Sequence, residues 1–450
     1  MRASRIDAGV VLLLAAPLLQ IFDSAEAASK EELTNEALKF NKDGTFHISI
    51  FGDLHFGESQ YSLSLKFLTV RPGGCDMRLT AKKKTDAWDQ WGPQQDIHSV
   101  KVIQKVLDSD RPDLVVLNGD LITGDNAFLE NATSYVDQIV GPMVDRRLRW
   151  ASTYGNHDHQ YNLSGSAILA HERRYPGSLT TSMVSDPEAG TSNYYLPVYG
   201  ADCRPPRRGG ETHCTPEMIL WFFDSRGGWR YQEKDEQGDL VGLENWVHKS
   251  AVEWFRATQN RLRARYGREI PSLVFTHIPI YAALALQTER GRGSVDPRLQ
   301  PGINDDYPAS PQAQGWCADG RDDAGCAYGG QDVPFMQAVV ETPGVMAMFF
   351  GHDHGDTWCY RWDRLVPGMT VAGSGVDLCF GQHSGYGGYG NWIRGARQVF
   401  VTEDMLRRRE VETWIRLETG EVVGSVMLNA TYGEDVYPVT PNDMTYCPTC

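Results

Sequence analysis

Ile48-Ser49-Ile50-Phe51-Gly52-Asp53-Leu54-His55 is an apolar run that ends on a glycine, a carboxylate and an imidazole. Four more runs along the chain end in a similar way. Leu114-Val115-Val116-Leu117 leads through Gly119 to Asp120, and Trp150-Ala151-Ser152-Thr153-Tyr154 leads to Gly155-Asn156-His157-Asp158. Leu273-Val274-Phe275 leads to Thr276-His277, and Val345 to Phe350 leads to Gly351-His352-Asp353-His354. Short continuous apolar runs of this kind read as parallel strands buried on both faces. In α/β folds, ligands bind outside the carboxyl ends of such strands. The expected fold class is therefore α/β, with Asp53, His55, Asp120, Asn156, His277, His352 and His354 meeting at one edge. No thiolate is among them.

These side chains suit metal chemistry. Asp53 and His55, two apart at a strand end, share a face and can reach one cation. His352 and His354 repeat that spacing, and each could serve a different ion. A carboxylate at Asp120 can give one oxygen to each of two cations. Asn156 offers a neutral carbonyl oxygen, while His157 points elsewhere and is free for proton transfer near neutral pH. Taken singly, each cluster has a plainer reading: a surface loop for Asp53-x-His55, a helix cap for Asp120, an incidental pair for His352 and His354, a satisfied core residue for His277. Five such clusters, each at a strand exit, point together to a hydrolytic centre of two divalent transition-metal ions, with Zn, Fe or Mn as the candidates. Asp158 either orients His157 or holds its loop.

The clusters stretch from residue 53 to residue 354 of a 450-residue chain, so dividing the chain between them would divide the site. One catalytic domain over 45–450 is expected, with loop insertions at 57–93, 159–217 and 286–332. Ahead of it, Arg2 and Arg5, the apolar stretch Ala8 to Ile21, and Ala25-Glu26-Ala27 read as an export signal over 1–27. Residues 28–44 read as an N-terminal extension with a helical flavour. No later stretch is long and apolar enough to span a bilayer, so no membrane span is expected after signal cleavage. Export to the extracellular space or the secretory-pathway lumen makes Asn131, Asn162 and Asn429 glycosylation acceptors. It also makes disulfides durable, and spacing suggests Cys203–Cys214, Cys317–Cys326 and Cys359–Cys379, with Cys447–Cys450 a weaker pair. Nine cysteines is an odd number, which leaves at least one free or paired between chains. The net charge of −15 argues against nucleic acid as a stable partner and against anionic membranes. Bound cations can still invert the charge locally and admit a phosphorylated substrate. Lys82-Lys83-Lys84 reads as a solvated loop.

Further elements are a strand over Thr45–Phe51, a helix over Asp96–Asp108, a strand over Met218–Phe223 and a helix over Asn245–Tyr266. Strands over Met369–Ala372, Gln398–Thr402 and Val411–Leu417 would close a second sheet.

The order D-x-H, G-D, G-N-H-D, H, G-H-x-H resembles that of the calcineurin-like metallophosphoesterases, over roughly residues 45–402. Pro112 to Asp120, Gly351-His352-Asp353-His354 followed by Cys359, and the segment Leu378 to Gly390 before Arg394-Gly395-Ala396-Arg397 are similar to a secreted fungal and plant branch related to purple acid phosphatases. The resemblance implies a four-layer α/β/β/α sandwich of two mixed sheets. It implies one cation on Asp53, His55, Asp120 and His354, and a second on Asp120, Asn156, His277 and His352. Asp120 would bridge and His157 would stand by the leaving group. Thr123 occupies the position of the tyrosine that colours purple acid phosphatases, so a purple centre is not expected. The same threonine, with no arginine before Gly155, argues against the protein Ser/Thr phosphatases. The expected function is a secreted phosphatase that hydrolyses phosphomonoesters by attack of a metal-bridging hydroxide. The alternatives are a phosphodiesterase, sphingomyelinase-like or nucleotide-directed, and a catalytically silent metal-binding or interaction protein. Arg394 and Arg397 could contact substrate or form salt bridges at a sheet edge. His383, Tyr386 and Tyr389 could line the rim or belong to a structural Gly-rich loop.

Overall fold

The computed structural model describes residues 37–58, 86–203 and 214–448. In chain order its strands are Leu38–Lys39 (β1), Thr45–Phe51 (β2), Leu114–Asn118 (β3), Trp150–Thr153 (β4), Tyr194–Tyr199 (β5), Pro216–Phe223 (β6), Trp229–Lys234 (β7), Leu240–Gly242 (β8), Ser272–Thr276 (β9), Glu289–Arg292 (β10), Val345–Phe350 (β11), Cys359–Trp362 (β12), Val376–Phe380 (β13), Gly395–Thr402 (β14), Val411–Leu417 (β15) and Val422–Leu428 (β16). One sheet has the order β1-β5-β6-β9-β11-β13-β12, the other β16-β15-β14-β2-β3-β4, and β7 and β8 form a separate hairpin. At the heart of each sheet the strands run parallel: β2, β3 and β4 in one, and β6, β9, β11 and β13 in the other. Both sheets are mixed, because antiparallel strands complete their edges.

Alternation along these strands builds the layers. Ile48, Ile50, Leu114 and Val116 face Leu220, Phe222, Leu273, Phe275, Ala347 and Phe349 in a core between the sheets. On the outer face of one sheet, Val115 and Leu117 pack against the helices Asp86–Asp110 and Ser134–Asp145 through Val102, Val106, Ile139 and Val140. On the outer face of the other, Trp221, Val274 and Phe350 pack against the helices Lys249–Tyr266, Tyr281–Thr288 and Val333–Val340 through Phe255, Leu286 and Phe335. The result is the four-layer α/β/β/α sandwich. Every residue of β3, β9 and β11 is buried, which is why those stretches read as unbroken apolar runs. Truncating one inter-sheet side chain, as in Phe349→Ala, should cost about 3–5 kcal/mol.

The strands that carry the clusters lie where expected. The helix expected over Asp96–Asp108 instead begins at Asp86, through a Gly92-Pro93 pair that helix propensity marks as a boundary. The helix expected from Asn245 starts at Lys249, where His248 caps Ser250. Met369–Ala372 is not a strand; Ala372 makes a single bridge with Leu365, and the strand follows at β13. β5 sits inside the supposed loop 159–217 and pairs antiparallel with the next strand, β6. Part of the extension is also a strand, β1, which pairs with β5. Cys203–Cys214, Cys317–Cys326 and Cys359–Cys379 are all bonded, the last across the β12–β13 pair. These three bridges are consistent with a secretory-pathway location. The export signal, Cys75, Lys82-Lys83-Lys84 and Cys450 lie outside the described residues. Among the described residues, no helix is long and apolar enough to cross a membrane.

Candidate metal centre

At three of the five strand exits the chain turns through left-handed backbone. Asp53, His55, Asp120 and His352 take left-handed backbone conformations, with φ of 54°, 49°, 49° and 75°. Such geometry is unfavourable for side-chain-bearing residues and persists only where surrounding bonds impose it. Here Asp53 N–H donates to Gly119 O at 3.0 Å, and Leu54 and His55 N–H donate to Asp120 O at 2.8 and 3.0 Å. Gly351 N–H donates to His277 O at 3.0 Å, which ties the second sheet's exits together. The glycine before Asn156 is dictated by crowding: a Cβ on Gly155 would stand 2.3 Å from Asp120 Oδ1.

Six of the seven expected side chains fall into two triads. Asp53, His55 and His354 bring one ligand atom each within 4.8 Å of one another, and so do Asp120, His277 and His352. In the first group His55 Nε2 and His354 Nε2 are 3.2 Å apart, and His354 Nε2 lies 3.6 Å from Asp53 Oδ1. In the second, His277 Nε2 lies 3.0 Å from Asp120 Oδ2. The same Oδ2 is 3.7 Å from His55 Nε2, so Asp120 stands between the groups. Asn156 Oδ1 is buried without a hydrogen-bond partner, and His277 Nε2 is buried against the Asp120 carboxylate. Leaving a buried polar atom unpaired costs about 1–3 kcal/mol, and a cation beside Asn156 would pair it. The donor set therefore fits a dinuclear-type metal site.

Neighbouring groups aim the imidazoles. His277 Nδ1 lies 2.9 Å from Asn118 O, and His354 Nδ1 lies 2.9 Å from Tyr389 O. A carbonyl only accepts, so both Nδ1 atoms carry a proton, and Nε2 is in each case the atom left to face a cation. His55 Nδ1 is held by Thr123 Oγ1 at 3.1 Å.

The electrostatics follow from packing two carboxylates among four buried imidazoles. Burial, opposed by His277 and reinforced by Asp120, pushes the Asp53 carboxyl up to about 7. Burial also works against the Asp120 charge, but His277 and His157 outweigh it and hold this carboxyl well below its ordinary range. Against burial, Asp120 raises His277 to about 10, and Asp120 with Asp125 raises His157 to about 9. Burial, then repulsion by neighbouring imidazoles, pushes His55 and His352 down to about 3.

His157 belongs to neither triad but is not remote from them: a ring nitrogen lies within 4.8 Å of ligand atoms of His55 and Asp120. Its ring lies 4.9 Å from that of His55, and its N–H donates to Asp120 Oδ1 at 2.8 Å. Asp158 does not orient it: that carboxylate accepts from the backbone N–H groups of Leu121, Ile122 and Gly155, and so holds the loop. The group facing His157 Nδ1, at 3.7 Å, is Asp125. Asp125 was missed because a Thr-Gly-Asp turn after a strand carries no signal of its own. Thr123 was noted only for the tyrosine it replaces, whereas its hydroxyl holds His55. Arg397 is buried and donates to the carbonyls of Phe380 and Thr357 and to Thr413 Oγ1. Arg394, equally buried, donates to the carbonyls of Trp392 and Gly390. Tyr386 is buried and bonded to Glu418, away from the centre. His383 and Tyr389 do stand beside His354, with ring centroids 3.9 and 4.1 Å away.

Comparison with known proteins agrees with this geometry. The family described as calcineurin-like phosphoesterase matches residues 46–356. The Arabidopsis thaliana protein named probable inactive purple acid phosphatase 29 is 23% identical over 403 residues, covering 85% of this chain and 84% of its own. Phosphatase DCR2 of Saccharomyces cerevisiae is 23% identical over 319 residues, covering 70% of this chain and 47% of its own. Among solved structures, a dimetal phosphatase from Danio rerio aligns with a TM-score of 0.45 at 13% identity, covering 85% of this chain and 98% of that one. Strand exits, clustered donors and the match over residues 46–356 lead to one conclusion: this chain belongs to the calcineurin-like phosphoesterase family.

Proposed function

We propose that the protein is an exported metal-dependent phosphatase that hydrolyses phosphomonoesters. Asp53, His55, Asp120 and His354 would hold one cation, and Asp120, Asn156, His277 and His352 the other. When bound, two such cations neutralise phosphate oxygens and supply a nucleophile at neutral pH. Asp120 shares its carboxylate between the two positions and keeps His157 close through the backbone bond to its N–H. Asp125 faces Nδ1 of His157, which leaves Nε2 to pass a proton to the departing alkoxide. Asp158 keeps that loop against the Asp120 turn. The observation that carries the reading is that Asp and His donors from the strand exits cluster in triads that meet at Asp120, with Asn156 Oδ1 buried and unpaired.

The plant relative's name favours the opposite reading, an inactive centre. Against it stands the filling of all seven ligand positions in this chain. The deciding experiment is elemental analysis of the purified protein, with hydrolysis of p-nitrophenyl phosphate and bis(p-nitrophenyl) phosphate measured side by side. About two transition-metal ions per chain with chelator-sensitive monoester turnover is expected. A strong diester preference would replace the monoester reading with a phosphodiesterase. Two ions and no turnover on either ester would leave a metal-binding protein.

A further inference from the structure

Beyond the residues matched by the family, 46–356, the loop His383–Tyr389 closes over the first donor group. Ser384 and Gly385 N–H donate to Gly52 O and Asp53 O, each at 3.1 Å, so the loop runs beside the Asp53 turn. Gly388 N–H donates to Glu58 Oε2. A Cβ on Gly388 would lie 2.4 Å from His354 Cε1 and 2.9 Å from His55 Cδ2, so the backbone is pressed against both imidazoles. Tyr389 then grips His354 three times. Its carbonyl accepts from Nδ1 at 2.9 Å, and its hydroxyl accepts from the His354 N–H at 3.2 Å. Its ring stacks on the imidazole at 4.1 Å between centroids and 10° between planes. The hydroxyl is itself aimed, because it donates to Asp306 Oδ2 at 2.7 Å. The same oxygen accepts from Gly355 N–H at 2.7 Å, one residue past His354.

We infer that Tyr389 is a positioning residue for the first cation: with Asp306 it fixes the plane and tautomer of His354, and so governs retention of the ion held with Asp53 and His55. This rests on the dinuclear reading, but not on turnover. Partners that orient metal-bound histidines are worth about 10–100-fold in metal affinity when removed. Among the described residues no comparable aromatic ring stacks on His277, whose Nδ1–H goes to the Asn118 carbonyl in the strand itself. The Tyr389 hydroxyl touches the second group only through His352 O, at 3.4 Å, so the larger effect should fall on the ion held with His354.

The test is zinc binding to metal-stripped full-length protein, read by elemental analysis after dialysis and by competition with a chromogenic chelator. Tyr389→Ala should retain about one ion per chain, with the affinity of the lost one down about 10–100-fold. Tyr389→Phe keeps the stacked ring and the carbonyl, so its loss should be smaller. Asp306→Asn should match Tyr389→Phe, and the double variant should be no worse than either single, as expected of partners in one bond. Excess zinc should restore the second ion to Tyr389→Ala, which a merely structural role would not predict. Two ions held by Tyr389→Ala at wild-type affinity would overturn the inference. Loss of both ions together, with a lower melting temperature of the metal-free variant, would also overturn it, as would a wild-type chain that binds no zinc. A wild-type chain that binds two ions and hydrolyses no ester would refute the phosphatase reading alone.

Discussion

The two halves of the metal centre are built differently. Asp53, His55 and His354 are almost fully buried, at 3%, 3% and 2% exposure, and side chains from distant loops enclose them. Thr123 comes from the segment after β3, Tyr389 from beyond β13. In the other half His277 is buried at 0% and leans on the backbone of β3, while Asn156 and His352 remain partly open. His157, with 35% of its side chain exposed, stands beside the Asn156 turn. The closed half is suited to hold an ion firmly. On the proposed reading a phosphate ester would approach the open half, with His157 at the boundary of the two halves beside His55 and Asp120.

The largest effect should come from the residue common to both halves. Asp120→Asn should lose both ions and all measurable turnover; retention of two ions would sink the bridging assignment. Asn156→Ala should empty only the open half, leaving about one ion per chain and no turnover while export continues. If that variant instead kept two ions and wild-type rates, Asn156 would not be a ligand. His157→Ala should separate chemistry from binding, lowering kcat by about 10²–10⁴-fold with both ions in place. Loss of the ions along with activity would mean that His157 is a ligand or a structural residue. Asp125→Asn should cost about 10-fold in kcat with unchanged metal content, since it acts only through His157; an unaltered kcat would remove it from the mechanism. The smallest effect belongs to Thr123→Val in the closed half, where loss of the His55 partner should weaken one ion by about 10-fold at most. A comparable loss of the other ion would show that the halves are not independent. The open half has no equivalent test, because the partner of His277 is a main-chain carbonyl.

What could be read in advance depended on how local each signal was. The ligand clusters were legible because each combines a buried parallel strand, a tight turn and a polar donor within eight or so residues. Gly155 belongs to that pattern because a side chain there would strike Asp120. Asp158 and Asp125 were not separable, because which carboxylate turns toward His157 depends on a backbone turn reached from β3 as well as from β4. β5 was hidden for the same reason: its strand character appears only when it pairs with β6. Arg394 and Arg397 looked like substrate contacts or salt-bridge partners at a sheet edge, yet both are buried and donate to backbone carbonyls inside the fold.

By itself the sequence determined the α/β class, three disulfides and which Asp and His residues gather at the strand exits, since strand alternation, turn sterics and donor chemistry are local properties. Only the tertiary structure decided that the donors divide into an enclosed and an open group, and that Asp125, Thr123, Asp306 and Tyr389 support them. Those roles depend on which distant backbones come within hydrogen-bond reach, a distance of about 3 Å that no local pattern encodes.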